Sequence, residues 1–320
     1  LVTTAQTSPY FGGVEKLTDA NGLATSTKYD SLFRPTEINA PGVAKQTITY
    51  SSPDSAKGSQ HVLYMVSTSQ AGMPRTKTYM DELGRSLREA TEGFGSGQWS
   101  FIDKRYNALG QLTHESLPHG GTPVYTYFSG YDVIGRLTGK TTPAVDSRED
   151  FTTEYTYSAL KTEIETYASD GHNLSMSRSH DSNGLLMQTT DAKGGVTRYG
   201  YDSQGNPVVI KDAAGNQIVA HYDNLGRKLW VDDPNQGKTT FTYNAFSDLE
   251  NELDANGDYQ RYDYDLLGRV KQRYSSDGNA TFTWDTRKRG LLSKTSASGV
   301  SKEFYFDSLA RPSEVKTSID

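Results

Sequence analysis

The stretch YDYDLLGR, Tyr262 to Arg269, decides the fold. Its last six residues read Tyr-Asp-x-x-Gly-Arg, and that pattern returns in HYDNLGR, His221 to Arg227, and in GYDVIGR, Gly130 to Arg136. With the Asp position as an anchor, the second half of the chain has anchors at Asp181, Asp202, Asp223, Asn244, Asp265, Asp285 and Asp307. The steps between them are 21, 21, 21, 21, 20 and 22 residues. His180, Tyr201, Tyr222, Tyr243, Tyr264, Trp284 and Phe306 precede these anchors, so a ring fills that slot each time. A looser series runs through the first half, at Asp30, Ser51, Asp81, Asn107, Asp132 and Ser158. Self-similarity at a fixed period is the mark of a repeat architecture. Residues 1–320 therefore read as one continuous array without a domain boundary. Residues 1–160 carry longer inserted loops (SSPDSAKGSQ, EGFGSGQ, LPHGGTP, TTPAVDSRED), and 161–320 keep the regular 21-residue step.

Each repeat holds two turn signals. One is Asp-x-x-Gly, as in Asp202–Gly205, Asp223–Gly226 and Asp265–Gly268; the other is Asp-Ala-x-Gly, as in Asp191–Gly194, Asp212–Gly215 and Asp254–Gly257. An Asp opening a turn can accept a hydrogen bond from its own backbone two residues on, and Gly accepts the positive φ that follows. Gly226 and Gly268 are thus expected at φ > 0. The next residue is Arg at 34, 85, 136, 227, 269, 289 and 311. Between turns lie segments of six or seven residues with period-two alternation, such as KTTFTY (Thr239, Phe241 and Tyr243 on one face), which predict strands. A coiled coil is excluded by two turn glycines per repeat and the absence of an a/d stripe. A parallel β-helix is the structural rival, but two turns per repeat fit an up-and-down antiparallel meander better. The expected fold is all-β, a long antiparallel β-strip of repeated hairpins with hardly any helix, two strands per repeat and about 24 strands in twelve intervals. An open twisted sheet of that length curls, so the strip is expected to wind into a spiral hollow shell, here a partial one. The residues expected to carry the repeat are Tyr29, Asp30 and Arg34; Tyr131, Asp132, Gly135 and Arg136; Tyr201, Asp202 and Gly205; Tyr222, Asp223, Gly226 and Arg227; Tyr243; and Tyr264, Asp265, Gly268 and Arg269.

Composition agrees with a wall more than with a packed globule. Only 34% of the residues are hydrophobic, while there are 21 Tyr and 30 Gly. The net charge of −6, with Lys and Arg scattered, gives no case for nucleic-acid binding. No Cys is present, which excludes disulfide and thiol chemistry in these residues. No run reaches the ~18 apolar residues of a membrane span. The chain opens on Leu1 and ends at Asp320 inside a repeat, so a fragment of a larger wall is expected.

The segments YDNLGRKLWVDDPNQGKTTFTY and YDLLGRVKQRYSSDGNATFTW resemble the Rhs or YD repeat. That family includes the B and C components of bacterial Tc toxin complexes, Rhs polymorphic toxins and the animal teneurins. The resemblance covers essentially the whole chain and implies a β-strip wound into a hollow shell that, in the toxin members, encloses a C-terminal toxic domain. It implies as partners the remaining shell segments, of the same or a partner protein, and the enclosed toxin domain, in a bacterial protein that is secreted or displayed at the cell surface and serves virulence. Toxin members close the shell with a DPxGL-type segment and a self-cleavage site. Here Asp233-Pro234 is followed by Asn235-Gln236, so neither is expected.

Motifs that would carry chemistry do not complete. QGKTT at Gln236–Thr240 lacks the Gly that a phosphate-binding loop needs at position 232, which is Asp232, and a strand is expected where a helix should follow. DANGD at Asp254–Asp258 begins like a calcium loop, but its sixth position is Tyr259. GFGSG at Gly93–Gly97 reads as an inserted loop. His114, His119 and His172 show no metal-ligand spacing. The expectation is no catalytic, cofactor-binding or metal-binding residue and no enzyme activity. The leading functional reading is an encapsulating segment of a toxin shell. The alternative is a cell-surface adhesion or carbohydrate-binding solenoid that uses its tyrosine faces.

Overall fold

A computed structural model describes residues 2–57, 61–95, 97–144, 150–168, 171 and 173–319. His172 and the stretch 145–149 lie outside the described residues. Alternating Thr, Tyr and Val segments form strands wherever the sequence alternates. The described residues hold 28 strands and one turn of 3-10 helix, Ser55–Lys57. Twenty-four of the strands fall between the first and last anchors, two for each repeat, and four lie outside them. Among the described residues the strand pairs are antiparallel, each to its neighbour in sequence, as in Gly237–Tyr243 with Leu249–Leu253 and Leu249–Leu253 with Tyr259–Tyr264. The parallel β-helix is thereby excluded.

The chain falls into two compact units. One comprises Val2–Tyr157 with Glu163–Ser175, the other Ser158–Thr162 with Met176–Asp320. The second unit is the regular one. Its strands run out to an anchor turn, back to a second turn, and out again, so all anchor turns lie along one edge of that meander. Register slips by one residue at the ring position: Thr242 pairs with Asn251, but Tyr243 pairs with Leu249. The same slip recurs at Tyr201, Tyr222, Tyr264, Trp284 and Phe306. A bulge at each of these places turns the ring out of simple alternation and toward the preceding repeat.

Little is buried in either unit. The buried hydrophobic residues are Met65, Tyr79, Leu87, Ala90, Ala220 and Ala280. Met65, Tyr79 and Ala90 form a small core in the first unit, covered by Ala56, Val62, Trp99 and Phe101. Here two inserted segments do more than lengthen turns. The 51–60 insertion places Asp54 against the Tyr79 hydroxyl at 2.8 Å and the Lys77 ammonium at 2.6 Å. The 117–123 insertion bridges back to the sheet through paired backbone bonds between His119 and Phe101.

One expected position is corrected. Arg289 does not occupy the Arg slot of its repeat. The loop after Asp285 is two residues longer than the others, closes with Asp285 N–H on the Leu291 carbonyl, and has positive φ at Asp285 itself and at Gly290. Lys288 stands at the slot where most anchor turns have Gly; Phe33, Ser247 and Ala310 hold the positive φ there without Gly, whereas in this loop Gly290, two residues on, holds it.

Candidate functional site

The repeated anchor turn is the site at which conserved chemistry within this one chain collects. In the repeat at Asp265, the Gly268 N–H donates to the Asp265 carbonyl at 3.0 Å and the Asp265 N–H to the Arg269 carbonyl at 2.9 Å. This is a type I turn followed by a left-handed residue, a common way to close a short hairpin loop. Gly268 has φ 74° and Gly226 φ 76°. The Asp side chain completes the closure. Asp265 Oδ1 accepts from the Leu267 and Arg269 amides at 2.9 and 3.0 Å, and Oδ2 accepts from Arg269 Nε at 2.8 Å. The Arg269 amide and guanidinium hold the Asp265 carboxyl below the usual carboxylate range. The same set of bonds occurs at Asp30 with Arg34, Asp132 with Arg136, and Asp223 with Arg227. At Asp202 the partner is Asn206, whose Nδ2 donates to Asp202 Oδ2 at 2.9 Å, and Gly205 has φ 86°. Gly135 has φ 84°.

The Arg and the ring then tie one repeat to the next. Each guanidinium lies over the ring that precedes the following anchor: Arg34 over Tyr50 at 4.0 Å, Arg136 over Tyr157 at 4.0 Å, Arg227 over Tyr243 at 4.9 Å and Arg269 over Trp284 at 4.9 Å. The electron-rich ring face attracts the cation. In return the polar tip of the ring reaches back to the preceding turn. Tyr243 Oη donates to the Lys228 carbonyl at 2.8 Å, Tyr264 to Leu249 at 2.6 Å, and Trp284 Nε1 to Val270 at 2.8 Å. Tyr29, Tyr131 and Tyr201 make the equivalent bond to Val14, Leu112 and Leu186. The acceptor is always the residue just past the Arg slot. Burial raises the phenol pKa of Tyr131, Tyr222, Tyr243 and Tyr264. Tyr201, Tyr222, Tyr243 and Tyr264 are half-buried. Arg269 also forms two bonds to the next anchor, Asp285, at 3.1 and 2.6 Å.

A second polar cluster lies in the first unit and was not read from the sequence. Asp103, 2% exposed, takes both arms of the Arg88 guanidinium at 2.5 and 2.7 Å, and its amide donates to Ser116 Oγ at 2.8 Å. His119 Nε2 lies 3.2 Å from Asp103 Oδ2, and its Nδ1 lies 2.8 Å from the Gly121 carbonyl. Burial opposes the Asp103 charge, but Arg88 outweighs it and holds the carboxyl below its usual range. Ser116 is taken up as an acceptor from the backbone, and Asp103 by a fixed cation. The cluster clamps the inserted segment to the sheet. His114 instead packs edge-on against Tyr125 and Tyr127, and burial lowers its pKa.

The remaining sequence motifs are turns. Gln236–Thr240 runs from a hairpin loop into the strand Gly237–Tyr243. Asp254 Oδ1 accepts from the Asn256 and Asp258 amides, both at 2.9 Å. Among the described residues no group of three or more His, Asp or Glu is placed to hold a metal ion, and no helix is long and apolar enough to cross a membrane.

Fold and turn together define a repeat protein whose unit is a hairpin pair, closed by an Asp-anchored turn and locked to its neighbour by Arg and an aromatic ring. Residues 180–217 match the family model described as RHS Repeat, and the same turn recurs on both sides of that stretch. Among solved structures, the chain is similar to the crystal structure of TcdB2-TccC3, at 12% identity over 99% of this chain and 24% of that one, with a TM-score of 0.42. It is also similar to TcdB2-TccC3-Cdc42, at 13% identity over 94% and 22%, with a TM-score of 0.44. A third match is the Photorhabdus luminescens Tc holotoxin pore carrying a TccC3 mutation, at 12% identity over 93% and 21%, with a TM-score of 0.38. The chain thus spans about a quarter or less of the length of these structures. No curated protein matches it.

Proposed function

We propose that the chain is a wall segment of a secreted bacterial Rhs-type protein, with no catalytic activity of its own, and that the complete wall encloses a toxic domain. The observation that carries this reading is the interlock between repeats. Ring, Asp, Gly and Arg are all engaged in joining one hairpin to the next, which is what a self-propagating wall requires. Remaining wall segments and the enclosed domain are the partners this role requires. The carbohydrate-binding alternative needs open aromatic faces. Tyr50, Tyr157, Tyr243 and Trp284 each have a guanidinium over one face, which favours the wall.

The test is limited proteolysis of the full-length product that contains this chain. A downstream domain enclosed by the wall survives protease until the wall is opened by denaturant, then disappears. Digestion of that domain at the same rate in the folded protein as in its isolated form would overturn the reading. Hydrolysis of an ester, glycoside or peptide by residues 1–320, abolished by a point substitution in them, would overturn the non-catalytic part.

A further inference from the structure

One junction in the second unit carries a carboxylate where others carry a guanidinium. Arg34, Arg85, Arg136, Arg227 and Arg269 each cover the ring before the next anchor, at 4.0 to 4.9 Å. The residue four positions after Asn244 is Asp248, whereas Gln111, Leu185 and Asn206, which hold that slot after Asn107, Asp181 and Asp202, are uncharged. A Cβ added at Gly268 would lie 3.8 Å from Asp248 Oδ1, just as one at Gly110 would lie 3.6 Å from Arg85 Nη1. Asp248 therefore takes the path of the slot Arg toward the next turn, but its side chain is too short to cover the next ring. Among the described residues no Arg or Lys lies over the ring of Tyr264.

The space so left is a groove of about 540 Å³ between the Asn244 and Asp265 turns. Tyr262 and Tyr264 line it, with ring centroids 6.5 Å apart and planes inclined at 37°, and Phe246 stands beside them, 87% exposed. Four carboxylates also line it. Asp263 and Asp265 have cation partners in Arg261 and Arg269, at 3.4 and 2.6 Å. Asp248 accepts only from Asn244 Nδ2, and Glu250 has no side-chain partner among the described residues. Lys271 is the one cation in the lining, so Asp248 and Glu250 leave the groove formally negative. An anion beside an electron-rich ring is unfavourable for the chain on its own. Burial, and after it the Asp248 carboxylate, push the Tyr264 phenol above its ordinary value. A local rule broken in this way, with no compensating partner in the chain, is the mark of a functional position.

We propose that this groove is a binding site for a guanidinium group supplied from outside these 320 residues, the side chain of an arginine. The planar cation stacks on the open face of Tyr264 and takes Asp248 and Glu250 as acceptors. The chain shows the same arrangement one repeat on, where Arg269 covers Trp284 and bonds to both Asp265 and Asp285. A lysine ammonium answers the charge but neither stacks nor forks onto a carboxylate, so arginine is preferred. The groove between the Asp181 and Asp202 turns, of about 420 Å³, has Leu185 at the slot and lacks that acceptor. The site stands on this one junction and does not depend on whether the wall encloses a cargo.

The experiment is a saturation-transfer NMR titration of the intact 320-residue chain with the peptide acetyl-Gly-Arg-Gly-amide, read at the arginine Cδ protons. The expected result is saturable binding, weaker for the peptide with Lys in place of Arg, and weakened about tenfold or more by Asp248→Asn with Glu250→Gln. A control with the same change of charge, Asp232→Asn with Glu314→Gln at two exposed positions, should bind as wild type does. Asn244→Asp with Asp248→Arg rebuilds the usual slot, lays an internal guanidinium over Tyr264 and should abolish binding. Circular dichroism confirms that each variant keeps the wild-type strand signal. An Asp248 variant that loses it is replaced by Glu250→Gln alone, which removes no hydrogen bond of the turn and should still weaken binding. Absence of saturable binding by wild type overturns the proposal, as does undiminished binding by the Asp248/Glu250 variant or an equal loss in the control. The full-length product that contains this chain distinguishes the two sources of the arginine. If it binds the peptide as the 320-residue chain does, the ligand comes from another protein; if it does not, while the shorter chain does, a flanking segment of the same protein already fills the site.

Discussion

The anchor turn makes a prediction whose sign changes with position. Gly226 sits at φ 76°, and the nearest atom to a Cβ added there would be Asn206 Oδ1 at 3.4 Å. Space is therefore adequate, and the cost of a side chain is conformational. An L-residue held in the left-handed region pays ~1–2 kcal/mol, and Gly→Ala regains ~0.4–1 kcal/mol through a less flexible unfolded chain. Gly226→Ala should thus destabilise by about 0.5–1 kcal/mol, and Gly226→Val by about 1 kcal/mol or more, because the β-branch adds crowding. Ala310 occupies the same slot in the Asp307 turn at φ 60° and already bears the strain. Ala310→Gly should stabilise by about the same 0.5–1 kcal/mol. Gly200 is the control. It lies in the strand Val196–Tyr201 outside the left-handed region, and a Cβ there would make ordinary contact with Val209 Cβ at 3.5 Å. Gly200→Ala should stabilise by ~0.4–1 kcal/mol. Urea unfolding followed by circular dichroism reads these changes as midpoint shifts at constant m, which keeps the comparison valid even where an array unfolds through its neighbours. The reasoning fails if Gly226→Ala is as harmless as Gly200→Ala, or if Ala310→Gly lowers the midpoint.

Asp103→Ala should cost about 3–5 kcal/mol by leaving the Arg88 guanidinium buried and unpaired, while Asp103→Leu with Arg88→Met should recover most of it; urea midpoints of the single and double variants decide. Because the folded Asp103 carboxyl titrates below its unfolded value, its contribution is fully present above about pH 4 and disappears as pH falls through the folded value. Wild type should therefore lose more stability between neutral pH and pH 3 than the Leu/Met double variant, and parallel acid unfolding curves would refute this. Tyr264→Phe should cost about 1 kcal/mol through loss of the bond to the Leu249 carbonyl, read in the same urea assay. Asn244→Asp should set two carboxylates against each other, since Asn244 Nδ2 now donates to Asp248 Oδ2 at 3.0 Å. Its destabilisation should grow as pH rises above the carboxylate range and be reversed by adding Asp248→Arg.

The turn was legible in the sequence because it is local. Asp, a tolerant middle, Gly and Arg meet over five residues, so spacing alone locates every bond that closes the loop. The Asp285 repeat shows the limit of that legibility: the 20-residue step kept phase, yet Lys288 at the Gly slot and Gly290 two residues later mark a longer loop. The Arg88, Asp103 and His119 cluster was out of reach for a different reason. Its members come from two strands and an insertion, and nothing in a polar segment such as LPHGGTP says that its His turns inward onto a carboxylate. The one available signal was Met80 in the ring slot before Asp81. There Tyr79, adjacent to the slip in register, points inward and is fully buried, and that ring is what the Asp54 insertion covers.

The slots of the turn vary together, and this explains how the array keeps its form while its residues change. Where the anchor is Asp, the residue four positions on is Arg at 34, 85, 136, 227, 269 and 311, which donates to it. At Asp202 and Asp212 that residue is Asn, again a donor. Where the anchor becomes Asn, the polarity reverses: Asn107 and Asn244 donate to Gln111 Oε1 and Asp248 Oδ2, at 2.7 and 3.0 Å. In these repeats a donor faces an acceptor across the neck of the loop; at Asp181 the fourth residue is Leu185 and only the amide bonds remain. The two amide bonds to the anchor oxygen, 2.9 and 3.0 Å at both Asp265 and Asn244, do not depend on charge. Charge matters one step further out. Arg is the member of this set that also covers the next ring, and in the Asn244 repeat, which has no Arg, Tyr264 still bonds back to Leu249 at 2.6 Å. Where Arg and a Tyr or Trp are both present, a junction between repeats rests on two links, the polar tip of the ring and the guanidinium. Loss of the second at single repeats leaves the first in place, so a long wall can accumulate substitutions at one slot without breaking.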